Sequence, residues 1–162
     1  MLLTVDIGNT NITFGVFEGK RLITTFRMNT IQTRTSDEYG MVMCELLEHN
    51  QVPVATISDV IIASVVPNVM YSLTSAIIKY FHTRPIIIET GIKTGIRVVS
   101  KNPRQVGADR IVDAAAAYEL YGGPAIVVDY GTATTFDLID ADGAFTACVI
   151  APGIRTSAQS LW

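Results

Sequence analysis

The chain has 162 residues, 49% hydrophobic and 17% charged, with 12 Lys and Arg against 15 Asp and Glu. That length and apolar share suit one domain or two small lobes around a real core, and exclude a disordered tail. A net charge of −3 gives no general attraction for a phosphate backbone or an anionic membrane, so nucleic acid and membrane are set aside as partners. The longest apolar runs, such as residues 60–66 broken only by Ser64, fall far short of the roughly 20 residues of a membrane span. The residues up to Asp6 have neither a basic n-region nor the apolar block of a secretory signal, and a cytoplasmic protein is expected. Cys44 and Cys148 cannot make a disulfide framework or a CxxC site, and His49 and His82 lie far apart.

Residues 2–7 form an apolar run that ends in Asp-Ile-Gly, a buried strand meeting a turn. Residues 11–17 and 21–28 are β-rich and are separated by the turn signal Glu18-Gly19-Lys20, so three antiparallel strands are predicted to open the chain. A helix follows, with Ser36 as its expected cap and an end near His49 and Asn50. Residues 59–66 read as a strand buried on both faces, 68–81 as a helix, and 85–88 as a short strand. The order β-β-β-α-β-α-β predicts one mixed sheet with a meander beside parallel crossover strands. Residues 91–105 are irregular and mark a lobe boundary, giving expected lobes 1–106 and 107–162. Beyond it come an alanine-rich helix over 108–121 stopped by Gly122-Gly123-Pro124, strands over 125–129, 134–139 and 144–150, and the start of a helix at Pro152-Gly153.

The second lobe opens as the first does. Val5-Asp6-Ile7-Gly8 and Val128-Asp129-Tyr130-Gly131 share Val, Asp and Gly in register, and each continues through small polar residues into Thr-Phe, at Thr13-Phe14 and Thr135-Phe136. A strand-turn coincidence is the plain reading of either copy, because Asp-x-Gly is a common turn. The pair together favours a duplication and a ligand. Glycine lets backbone approach phosphate, and hydroxyls and amides line each turn. A carboxylate repels phosphate, so Asp6 and Asp129 would act through a bound cation or its waters. Two such turns facing across a cleft would clamp a triphosphate. The GxxxxGK[ST] and GxGxxG loops are absent.

Four blocks in order, DIGNTN (6–11), NPRQVGADR (102–110), VDYGTATTFDLID (128–140) and IAPGIR (150–155), together with SVVP (64–67), resemble the type III pantothenate kinases of the acetate and sugar kinase/Hsp70/actin superfamily across essentially the whole chain. The resemblance implies an α/β fold of ribonuclease-H-like (actin-like ATPase) mixed sheets with helices on both faces and two duplicated lobes, the second incomplete here. It implies ATP-dependent phosphorylation of pantothenate, the first step toward coenzyme A, usually in a homodimer. Residues Asp6, Ile7, Gly8, Asn9, Thr10, Asn11, Ile12 and Thr13 align with the ATP phosphate loop, and Thr132 with a second nucleotide contact. Gly107, Ala108, Asp109 and Arg110 align with the pantothenate-binding block, with Asp109 as general base. Asp129 aligns with the ligand of a monovalent cation, K⁺ or NH4⁺, and Mg²⁺ would accompany ATP near Asp6.

That chemistry is sound, because phosphoryl transfer is mostly positioning and charge stabilisation plus a carboxylate to accept the hydroxyl proton. In isolation Asp109 also reads as an acid favoured at a helix N-terminus, and Arg110 as the partner of Asp113 at i+3. In the functional reading the Arg110 fork would hold substrate oxygens. Lys101 and Arg104 read as solvated charges, one of which would approach a phosphate. Cys44, Cys148, His49, Tyr118 and Tyr121 read as packing or surface residues, and His82 as an exposed residue at a helix end. Ser100 stands where many relatives carry a tyrosine against pantothenate, which removes an apolar, hydrogen-bonding wall. Ile154, Ala158, Leu161 and Trp162 leave an apolar helix face with no stop signal, so the chain reads as part of a longer one. The alternatives are a kinase for another small hydroxylated substrate, a non-catalytic nucleotide-sensing module, and an inert fragment.

Overall fold

The computed structural model describes residues 1–89, 92–100 and 102–161, without the side chain of Arg104. Alternation of apolar and polar residues builds the opening meander: β1 (Leu2–Ile7) pairs antiparallel with β2 (Asn11–Glu18), and β2 with β3 (Arg21–Asn29). Gly19 turns the hairpin at φ 60°, where a side chain would be strained. β4 (Asp59–Ser64) and β5 (Ile86–Ile87) add parallel to β1, giving the order β3-β2-β1-β4-β5. Parallel neighbours need crossovers, and α1 (Ser36–His49) and α2 (Pro67–Phe81) supply them. Leu3, Val5 and Ile7 of β1 and Ile12, Phe14 and Val16 of β2 form one core with Tyr39, Met43 and Leu47 of α1 and Leu73 and Ile77 of α2. The opposite parity leaves Asp6 and its cross-strand partner Thr13 exposed.

The cap of α1 is Thr35, not the expected Ser36. The Thr35 hydroxyl accepts from the Glu38 amide at 3.3 Å, and the Thr35 amide donates to Glu38 Oε2 at 2.7 Å. This capping box needs an acid three residues past the cap; Thr35 has Glu38 there, whereas Ser36 would have Tyr39. His82 ends α2 in the left-handed region at φ 56° and is exposed.

The contacts divide the chain into two compact units, Met1–Ile88 and Glu89–Trp162. The division precedes the 106/107 boundary expected from the irregular segment. Within that segment β6 (Arg97–Val98) pairs parallel with β9 (Ala144–Pro152), and Ile96 and Val98 pack on the second core. Unlike the equally short β5, which lies in the apolar run Ile86-Ile87-Ile88, β6 begins at a charged residue in a segment that reads as irregular. In the second unit α3 (Ala108–Tyr121) precedes the meander of β7 (Ala125–Tyr130), β8 (Ala133–Ile139) and β9, in the sheet order β6-β9-β8-β7. Gly122 at φ 76° ends α3, and a six-residue α4 (Ile154–Gln159) closes the described chain. The core here is small: Val106, Ile111, Ala114, Ile139 and Phe145. Ile154, Ala158 and Leu161 are exposed, and Trp162 lies outside the described residues.

The two meanders correspond strand for strand, but the helices of this chain pack on opposite faces of them. Leu3, Val5, Phe14 and Val16 are buried in the first unit, whereas their counterparts Ile126, Val128, Phe136 and Leu138 are exposed in the second. In the second unit the face under α3 carries Ala125, Val127 and Ile139 instead.

α1 and α2 pack at Gly40, where an added Cβ would collide with the Tyr80 ring. That ring is tethered, since the Tyr80 hydroxyl donates to Asp37 Oδ1 at 2.8 Å. Gly40→Ala is therefore expected to destabilise the first unit by about 1–3 kcal/mol despite better helix propensity. Urea denaturation tests this, and Tyr80→Ala in the same chain should recover most of the loss.

Candidate active site

The first acidic turn follows β1. Its shape is set by hydrogen bonds inside the turn and from the segment after β3. The Gly8 amide donates to the Asn11 carbonyl at 3.0 Å. The Thr30 amide donates to the Thr10 carbonyl at 2.9 Å, and the Thr30 hydroxyl to the Gly8 carbonyl at 2.6 Å. A Cβ at Gly8 would sit 3.3 Å from the Asn11 carbonyl oxygen, which explains glycine there. Asp6, Asn9, Thr10 and Thr13 are exposed, Asn11 is partly so, and Ile7 and Ile12 are buried in the core. Ile7 and Ile12 therefore anchor the turn, and the polar side chains stand at its surface. The Gly8 amide serves the turn itself rather than pointing outward.

The second turn follows β7 and is one residue shorter. Asp6 pairs across its hairpin with Thr13, and Asp129 with Thr135. The Gly131 amide donates to the Ala133 carbonyl at 2.9 Å. A Cβ at Gly131 would meet Asp129 Oδ2 at 3.2 Å, so glycine leaves room for that carboxylate. The Thr132 carbonyl accepts from the Gly153 amide at 3.1 Å and the Thr156 hydroxyl at 3.2 Å. Gly153 is forced by proximity: a Cβ would collide with the Gly131 and Thr132 carbonyl oxygens. Thr132 and Asp129 are exposed.

Asp109 stands in the first turn of α3, half-buried. Its Oδ1 accepts from the Arg110 amide at 2.8 Å. Burial raises the Asp109 pKa above the usual carboxylate value; the Arg110 amide and guanidinium oppose this, and the charges of Asp129 and Asp137 add to it. A carboxylate held this way is a better proton acceptor than a solvated one. Gly107 caps α3 without a side-chain bond, and Gly107 and Ala108 are partly exposed beside Asp109.

Arg110 is placed differently from either sequence reading. Its guanidinium is buried against Asp137 of β8, with Nε donating to Oδ2 at 3.2 Å and Nη2 donating to Oδ1. Burial lowers the Arg110 pKa, and the Asp137 bonds and charge outweigh it and raise it overall. Asp137 went unnoticed in the sequence, although a signal was there: Thr135, Asp137 and Ile139 share the inward parity of β8, and an acid at such a position needs a partner. The Ser100 hydroxyl is enclosed and has no hydrogen-bond partner among the described residues. Lys101 and the Arg104 side chain lie outside the described residues.

Among the described residues no helix is long and apolar enough to cross a membrane. Two solved structures share the architecture. The ethanolamine utilization protein EutJ from Carboxydothermus hydrogenoformans matches at TM-score 0.53 and 17% identity, over 93% of this chain and 51% of its own. The type II variant of the Aquifex aeolicus Ppx/GppA phosphatase matches at TM-score 0.52 and 14% identity, over 99% and 55%. At such identity the likeness shows the fold alone, that of the actin-like ATPases. A curated relative, the type III pantothenate kinase of Agathobacter rectalis, is 61% identical over all 162 residues, and the chain spans 62% of that relative's length. The family model for type III pantothenate kinase matches residues 2–162, and the chain belongs to that family.

Proposed function

We propose that this protein phosphorylates pantothenate with ATP, forming 4'-phosphopantothenate on the way to coenzyme A, as a cytoplasmic homodimer. The observation that carries this reading is the half-buried Asp109, its pKa raised, at the start of α3 in a chain matched by the family model over residues 2–162. In this reading Asp109 accepts the proton of the pantothenate hydroxyl as the hydroxyl oxygen attacks the γ-phosphorus, and the bond from that phosphorus to the β,γ-bridging oxygen breaks to release ADP. The turn over residues 6–13 and Thr132 meet the nucleotide. Gly107, Ala108 and Ser100 meet pantothenate, with the unpartnered Ser100 hydroxyl suited to one of its polar groups. Because the Arg110 fork is bound to Asp137, its part in the substrate block falls to its backbone.

The donor chemistry at the two strand ends fits hard cations. Asp6 and Asp129 are exposed carboxylates, each opposite a threonine on the next strand, Thr13 and Thr135. Among the described residues no three His, Cys, Asp or Glu side chains gather into a cluster. A cation at either end would therefore share one carboxylate with backbone, phosphate and water oxygens. Mg²⁺, when bound near Asp6, would neutralise phosphate charge, and K⁺ or NH4⁺ would be held by Asp129.

Asp109→Asn in the native protein that carries this chain should lower kcat by roughly 100- to 10,000-fold while ATP affinity stays near wild type. Near-normal turnover would remove Asp109 as the base, and ATP binding with no transfer in the wild type would favour a nucleotide-sensing module. Activity should require a monovalent cation. Equal rates without K⁺ and NH4⁺ would count against Asp129 as its ligand.

The raised pKa of Asp109 also sets a direction for stability. The stabilisation linked to its proton is fully present below the unfolded pKa and is lost as pH rises through the folded one. Asp109→Asn, neutral throughout, should thus raise the thermal midpoint at neutral pH. The gain should vanish under acidic conditions; a midpoint unchanged at neutral pH would contradict a carboxylate strained by burial.

A further inference from the structure

We propose that Asp137 is a positioning residue: from β8 it grips the Arg110 fork and so holds the first turn of α3, keeping the Asp109 carboxylate in one direction. The inference rests on Asp109 as the base.

Four observations carry it. First, the pair is buried, with Arg110 7% and Asp137 1% exposed, and the Arg110 guanidinium lies 5.8 Å from the ring centroid of the buried Phe145. A planar fork bound at two atoms and stacked on a fixed ring has little freedom left. Second, the pair is badly placed for stability alone. A cation in the first turn opposes the helix dipole, and a buried ion pair seldom outperforms apolar packing. Third, α3 lacks the device that fixes α1. Thr35 and Glu38 make a capping box there, whereas Gly107 offers α3 no side-chain cap. The start of α3 is held instead by a tertiary contact 27 residues away in sequence. Fourth, Arg110 is the residue whose amide bonds Asp109 Oδ1 at 2.8 Å. Its side chain is clamped by Asp137 and its backbone orients Asp109, so the two carboxylates are linked through one residue.

The test uses the native protein carrying this chain. Asp137→Asn is expected to cut kcat by about 100-fold, the loss that follows a small misplacement of a reacting group, while KM for ATP stays within about twofold. The amide proton resonance at position 110 should move upfield as its bond to Asp109 loosens. Should Asp137→Asn fail to fold, the double variant Asp137→Leu with Arg110→Met refills the buried volume without charge, and the same kcat loss and amide shift are expected. A folded variant with kcat within about twofold of wild type, or an unmoved amide at position 110, would overturn the proposal. A wild type that turns over no pantothenate would sink the kinase reading; the amide at position 110 would then decide alone whether Asp137 holds Asp109.

Discussion

Every second side chain of an antiparallel strand turns to the same face, and much of this protein follows from that constraint. In the first unit it sends Leu3, Val5 and Ile7 into the core and leaves Asp6 at the exposed strand end. In the second it sends Ala125 and Val127 toward α3, and Asp129 shares their parity. Asp129 therefore lies on the side of its sheet where its charge reaches Asp109, whereas Asp6 faces away from its own helices. The echoed sequence thus yields two acidic turns, the second one residue shorter, on sheets whose helices in this chain pack on opposite faces. A one-residue slip in either strand would reverse every one of these assignments.

Polar groups in the second unit are organised around α3. Gly107 leaves the helix start without a side-chain cap, and the buried pair of Arg110 and Asp137 holds it. Desolvating two charges is expensive, which makes the pair costly as a fastener and exact as a locator. The half-burial that raises the Asp109 pKa belongs to the same arrangement. The first unit spends its charges elsewhere, on a solvated bridge between Lys79 and Asp37 at 2.6 Å, where screening leaves little net stabilisation.

Helices and strands with a full period could be read from sequence with small errors at their ends, because alternation and 3.6-residue spacing are local properties. α3 begins and ends where its pattern says, and Gly19 and Gly122 sit at the positive φ their turns require. The two acidic turns and the family were legible for the same reason: each is carried by short contiguous strings. The cap of α1 was missed by one residue, since the choice between Thr35 and Ser36 depends on which has an acid at its third position. β6 was missed because Arg97-Val98 lies in a segment read as irregular, whereas the equally short β5 sits in the continuous apolar run Ile86-Ile87-Ile88.

What only the tertiary structure decided was the partner of each charge. Sequence proximity offers Arg110 the neighbour Asp113, and family likeness offers it a substrate. Strand pairing instead brings Asp137 beneath it, from an inward-facing position between Thr135 and Ile139. The physical reason is that local pattern sets which face a residue occupies. The identity of what it meets there depends on how distant segments pack, and for a buried charge that packing determines the energy.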